Sequence, residues 1–184
     1  MRKLLRGLAT ALTLLIATSA FAQQKAYVRD DLASNVIRLE EQIRKDSATL
    51  AGRSTTDLRR DGLAMISRNP RAALLPLGAV ITATPRDSQA WLDYARAARA
   101  TATSNPNDGW RLNQTAISAA YAAYQRANDK DQEATTLAFL GSIYDAQTLY
   151  RLSLNAYRAS LDASDNRSVR GIYENLRAKY GFRI

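Results

Sequence analysis

Two segments centred on tyrosine repeat 33 residues apart, AAYQRA around Tyr124 and NAYRAS around Tyr157. Ala123 and Ala156 keep that offset, as do Ala120 and Ser153. A period of about 34 residues that sets small residues beside an aromatic is the signature of stacked helical hairpins. Each hairpin buries its apolar face only against its neighbour. Such a chain therefore forms a row of units whose long surfaces bind other molecules. The period restricts architecture; chemistry has to be sought elsewhere.

The first 22 residues read as an export signal. Arg2, Lys3 and Arg6 form a basic start, Leu8 to Ala20 is an apolar run, and Ala20-Phe21-Ala22 offers a small-x-small cleavage site before Gln23. The apolar run is too short to span a bilayer, which needs roughly 20 residues. The expected product is periplasmic or secreted, with no membrane span once the signal is removed. No cysteine follows the cleavage site, so no thiol is present to carry a lipid.

Cleavage also removes three of the 26 basic residues and none of the 17 acidic ones, leaving a net charge of +6. The excess is densest at Arg53, Arg59, Arg60, Arg68 and Arg71. Export argues against a nucleic-acid partner, and the charge reads as a solvated, arginine-rich helix surface. With no cysteine in the chain, there are no disulfides and packing alone must hold the fold. Alanine is abundant, glycine and proline are scarce, and no alternating β-branched run follows the signal. The class is all-α.

Residues 23–52 are expected to contain a long amphipathic helix, from about Arg29 to Leu50, and 53–184 a repeat domain. Leu32, Val36, Leu39, Ile43 and Leu50 trace one narrow apolar stripe. Glu40 and Glu41 precede Arg44 and Lys45 by four residues, the spacing of helical ion pairs. The stripe suits an arm packed on the repeats or a coiled-coil seam. Gly52 ends the arm, and Ser54-Thr55-Thr56-Asp57 supplies caps for the next helix. Asn69-Pro70 separates the two helices of a hairpin, Pro76 is expected to kink the second, and Pro85 ends it.

Over roughly residues 54 to 180 the chain resembles the tetratricopeptide family, with Ala73, Leu77 and Val80 at second-helix positions. In that family a proline precedes, by six residues, an aromatic in the next unit's first helix. Pro85 and Trp91 stand at that spacing. Tyr94, Ala95 and Ala98 follow in the same helix, and Leu140, Gly141, Tyr144, Ser153, Tyr157 and Leu161 form the cleanest unit. Between them SNPNDGWRLN, Ser104 to Asn113, reads as an inserted loop. Ser168 to Lys179 reads as a closing helix with Gly181 as its C-cap. The expected fold is thus about three tetratricopeptide-like hairpins, preceded by a long N-terminal helix and closed by a C-terminal one. The resemblance implies a protein-contact groove on the first helices of the units, at Gln89, Leu92, Arg96 and Arg99 and then Thr135, Ser142 and Asp145. Trp110, in the inserted loop, is either anchored beneath it or exposed as a partner contact.

Little chemistry remains open. The chain has no histidine and no cysteine, which removes Ser–His and Cys–His catalysis and ordinary zinc sites. No glycine-rich phosphate loop appears. Asp30/Asp31 and Glu40/Glu41 are poor catalytic pairs, because adjacent helical side chains diverge. The expectation is a protein that is not an enzyme and takes no cofactor or metal.

The blocks RDDLASNVIRLEEQI (Arg29 to Ile43), Ser118 to Ala127, and VRGIYENLRAKYGFRI (Val169 to Ile184) resemble a narrower group. It is the N-terminal region of large exported bacterial alpha-2-macroglobulin-like proteins. The resemblance implies a helical leader ahead of β-sandwich domains, in a family that traps proteases through a bait segment and a Cys–Gln thioester. None of those working residues has a counterpart here. The implied role is a docking or spacer module whose partners are its own downstream domains, if the chain is a fragment. The alternative is an independent periplasmic scaffold for envelope proteins.

Overall fold

A computed structural model describes residue 29, residues 31–105 and residues 107–181. The expected signal, 1–22, lies outside the described residues. Eight α-helices follow one another there, with no strand among the described residues. They are α1 (Leu32–Asp46), α2 (Thr55–Ile66), α3 (Pro70–Ala83), α4 (Ser88–Ser104), α5 (Gly109–Gln125), α6 (Lys130–Ala146), α7 (Tyr150–Ala163) and α8 (Arg167–Tyr180). Helices α2/α3, α4/α5 and α6/α7 pair as hairpins, and α8 packs on α7.

Local chemistry sets most boundaries. Ser54, Asn69, Asp87, Asp129 and Asn166 each accept a backbone N–H of the helix they precede, satisfying donors that the helix itself cannot. Pro70 opens α3, which runs unbroken through the buried Pro76. Gly52 takes a φ of +84°, a left-handed turn that suits glycine, between the arm and α2. Gly181 ends α8 at φ −61°, so the expected glycine C-cap does not use the left-handed region.

Two expected elements differ. The single helix from Arg29 to Leu50 is instead α1 followed by a short 3₁₀ turn, Ala48–Leu50. The break falls at Ser47, whose hydroxyl donates to the Ile43 carbonyl at 2.7 Å and lies 3.0 Å from Thr82 Oγ1. A serine hydroxyl bonded to its own backbone competes with helix continuation. The inserted loop, expected over Ser104 to Asn113, is shorter: α4 runs to Ser104 and α5 already begins at Gly109. The breakers end at Gly109, and WRLNQ after it contains nothing that opposes a helix. A Cβ on Gly109 would lie 3.2 Å from the Ala102 carbonyl oxygen, so glycine lets α5 start close against α4.

The core runs through the hairpins. Trp91 is fully buried, donates its indole N–H to the Pro85 carbonyl at 3.0 Å, and carries the Arg126 guanidinium over its ring at 4.9 Å. Ala120, Ala123, Ser153 and Ala156, the small residues of the 33-residue period, are all buried without residual exposure. Small side chains let neighbouring helices approach, and serines bond across the gap: Ser153 Oγ donates to the Gly141 carbonyl at 2.9 Å and Ser88 Oγ to that of Ala123 at 2.8 Å.

Helix α1 packs on α3 and α5, the second helices of their hairpins, through Leu32, Val36 and Ile43. The first helices meet one another instead, α2 with α4 and α4 with α6. The arm therefore covers one side of the row and leaves the other. Glu40 of α1 pairs with Arg126, the residue just past α5, rather than with Arg44, so the charge expected to stabilise the helix locally fastens it to the row. At the far end, α8 buries no residue fully and leaves Ile172 half exposed.

Candidate functional site

The uncovered side carries a shallow groove of about 210 Å³ between α4 and α6. Gln89, Leu92 and Thr135, three of the residues expected to line a contact surface, come together there with Ser88, Asp131 and Gln132. Asp87 and Asp129 cap the helices at this end and so set where α4 and α6 begin. Hydroxyl, amide and carboxylate groups dominate the rim, which suits hydrogen bonding to a peptide more than apolar burial.

Leu92 corrects the expected surface. It is only 2% exposed, so it forms the floor of the groove and is not a free contact. Helix α4 is buried on several sides because it sits between α3, α5 and α6. The remaining expected residues stand apart. Arg99 donates to Asn113 Oδ1 of α5 at 2.9 Å, which ties the two helices of its hairpin together. Ser142 donates to the Phe139 carbonyl at 2.7 Å within α6, and Asp145 lies near the end of that helix. Trp110 is 72% exposed in the first turn of α5, so the anchored reading gives way to the exposed one.

Sequence reasoning missed the most heavily bonded polar residue near the groove. Asp93 is 2% exposed, and its Oδ2 accepts from Arg59 Nε at 3.0 Å and Nη2 at 2.9 Å. Its Oδ1 accepts from Gln89 Nε2 at 2.7 Å and from Arg96 Nη1 at 3.4 Å. Arg59 also reaches Asp87 Oδ2 at 3.3 Å. Two expected contact residues, Gln89 and Arg96, are thus engaged in holding a buried carboxylate. A buried charge is costly unless its lone pairs are filled, and here they are. The network pins α2 to α4. Its only sequence signal was an aspartate among alanines on a helix otherwise built for burial.

One carboxylate of each pair weighed as catalytic is occupied as well: Asp31 accepts from Arg29 and Asn35, and Glu40 pairs with Arg126, while Asp30 lies outside the described residues. Among the described residues no helix is long and apolar enough to cross a membrane. No protein-family model, no curated protein and no solved structure matches this chain.

Proposed function

We propose that the chain is a non-catalytic exported scaffold of the tetratricopeptide type, which holds a protein segment in the groove between α4 and α6. On this reading it serves as the helical leader of an alpha-2-macroglobulin-like protease-trapping protein. One observation carries the contact surface. The arm α1 covers the α3/α5 side, while the first-helix side keeps an open polar groove at Gln89 and Thr135. Repeat rows of this kind commonly recognise extended segments through such a face. The leader assignment rests on the three sequence blocks quoted above.

The test places a photo-crosslinking residue at Gln89 or Thr135 in the exported protein, with Arg151 on α7 as the control position. A discrete adduct from the groove positions and none from the control supports the reading. Labelling that is equally diffuse at all three positions defeats it. The identity of the adduct separates the two partner classes. A β-rich polypeptide carrying a thioester cysteine, encoded at the same locus, supports the leader. An unrelated envelope protein in the adduct supports an independent scaffold.

A further inference from the structure

On the other side of the row, where α1 crosses α3 and α5, the helices enclose a recess of about 510 Å³. That size lies in the range of small-molecule sites, roughly 300–1,000 Å³. Leu39 of α1, Leu74 of α3 and Leu112 of α5 supply apolar walls, and Tyr94 of α4 reaches the floor. Gly78 lets Ile43 and Tyr94 pack close against α3. A Cβ there would lie 3.2 Å from Ile43 Cγ2 and 3.6 Å from Tyr94 Cε2.

Tyr94 is 8% exposed and lines the recess together with Asp46. Burial, with the Asp46 carboxylate as the lesser cause, pushes its pKa up to about 12, so it is a donor at neutral pH. Two guanidiniums, Arg71 and Arg111, also line the recess, against one carboxylate, Asp46. Arg71 has no ion pair among the described residues, and Arg111 has only the exposed Asp108, at 3.2 Å. Asp46 already accepts from Gln42 Nε2 at 2.7 Å.

We propose that this recess binds a free small amphipathic anion, its apolar body against Leu39, Leu74 and Leu112 and its acidic group on Arg71 and Arg111. Tyr94 donates to the same acidic group or to a carbonyl beside it. The site does not depend on the protein-contact reading, which concerns the first-helix side.

Decanoate below its micelle concentration is the probe, titrated calorimetrically into the purified protein. One saturable site is expected. Arg71→Ala and Arg111→Ala should each weaken it about tenfold, the loss of one charge-assisted contact. Tyr94→Phe should weaken it severalfold, and Thr115→Phe should abolish it by filling the recess. Both arginines are exposed, so their variants should keep the native circular dichroism. Decyltrimethylammonium should give no heat. Equal binding of that cation, no heat with decanoate, or unchanged affinity in both arginine variants overturns the proposal. So does an arginine-dependent association with phosphatidylglycerol vesicles in the absence of decanoate binding, which would make the patch a membrane contact.

Discussion

The ring of Tyr157 rests on the bare backbone of Gly141. A Cβ built on that glycine would come within 3.1 Å of the ring's Cγ and Cδ1. Tyr157 is 3% exposed, so the ring has little room to withdraw. One half of the 33-residue echo is therefore a helix-on-helix contact inside the α6/α7 hairpin.

Gly141→Ala sets two effects against each other. Alanine gains about 1 kcal/mol of helix propensity over glycine, while overpacking a filled site costs about 1–3 kcal/mol. The clash should win, with a net loss of stability. Gly171, on α8, has nothing within 4 Å of a built Cβ. Gly171→Ala should therefore stabilise by about 0.5–1 kcal/mol. Urea denaturation of both variants checks the pair, and a shift of the same sign in both would contradict the packing argument.

The two tryptophans should behave oppositely. Trp91→Ala removes a fully buried indole and should cost about 3–5 kcal/mol. Trp110→Ala removes an exposed one and should stay within about 0.5 kcal/mol of the parent. Acrylamide should quench Trp110 in a Trp91→Phe background and leave Trp91 largely protected in a Trp110→Phe background.

Breaking the Arg59–Asp93 pair should depend on which partner is removed. Arg59→Ala leaves a carboxylate at 2% exposure with only Gln89 and Arg96 to support it, and should cost about 3 kcal/mol or more. Asp93→Ala leaves Arg59 about 30% exposed and still beside Asp87, so it should cost less. Chemical denaturation of the two single variants and of the double variant gives the order, and the double should be less damaged than Arg59→Ala alone.

Alkaline stability follows from buried phenols. Burial, with Asp46 and Asp145 as the lesser causes, pushes Tyr94 and Tyr157 up to about 12, and burial also raises Tyr144. In the unfolded chain a tyrosine loses its proton near pH 10. The folded state therefore holds protons that the unfolded state has released. The stability they confer is complete below pH 10 and lost between about 10 and 12, at about 1.4 kcal/mol per pH unit for each tyrosine. Urea midpoints at pH 8, 9, 10 and 11 should be level at first and then fall. Tyr157→Phe should make the fall shallower, and a level midpoint from pH 10 to 11 would sink the argument.

The helical class, the hairpin division and the caps at Ser54 and Asp87 were legible because their causes are local. Asn69-Pro70 stops one helix and starts another whatever lies nearby, and Asp87 reaches N–H groups two and three residues on. The burial of Ala120, Ala123, Ser153 and Ala156 followed from periodicity for the same reason. Leu92 was misplaced because α4 touches neighbours on several sides, which a two-sided reading of a repeat helix does not anticipate. The loop before Trp110 was overdrawn because breaker residues at 105–109 coloured a stretch that could already be helical.

By itself the sequence determined an all-α chain without histidine or cysteine, its helices divided at Gly52, Asn69-Pro70 and Pro85, its small residues spaced for close packing. Only the tertiary structure decided that the arm lies across α3 and α5, that Asp93 is the buried carboxylate of Arg59, and that a recess opens above Tyr94. Arg59 and Asp93 are 34 residues apart and Glu40 and Arg126 are 86 apart. Long side chains choose such partners from whatever the packed helices bring within reach, and no periodicity along the chain encodes that choice.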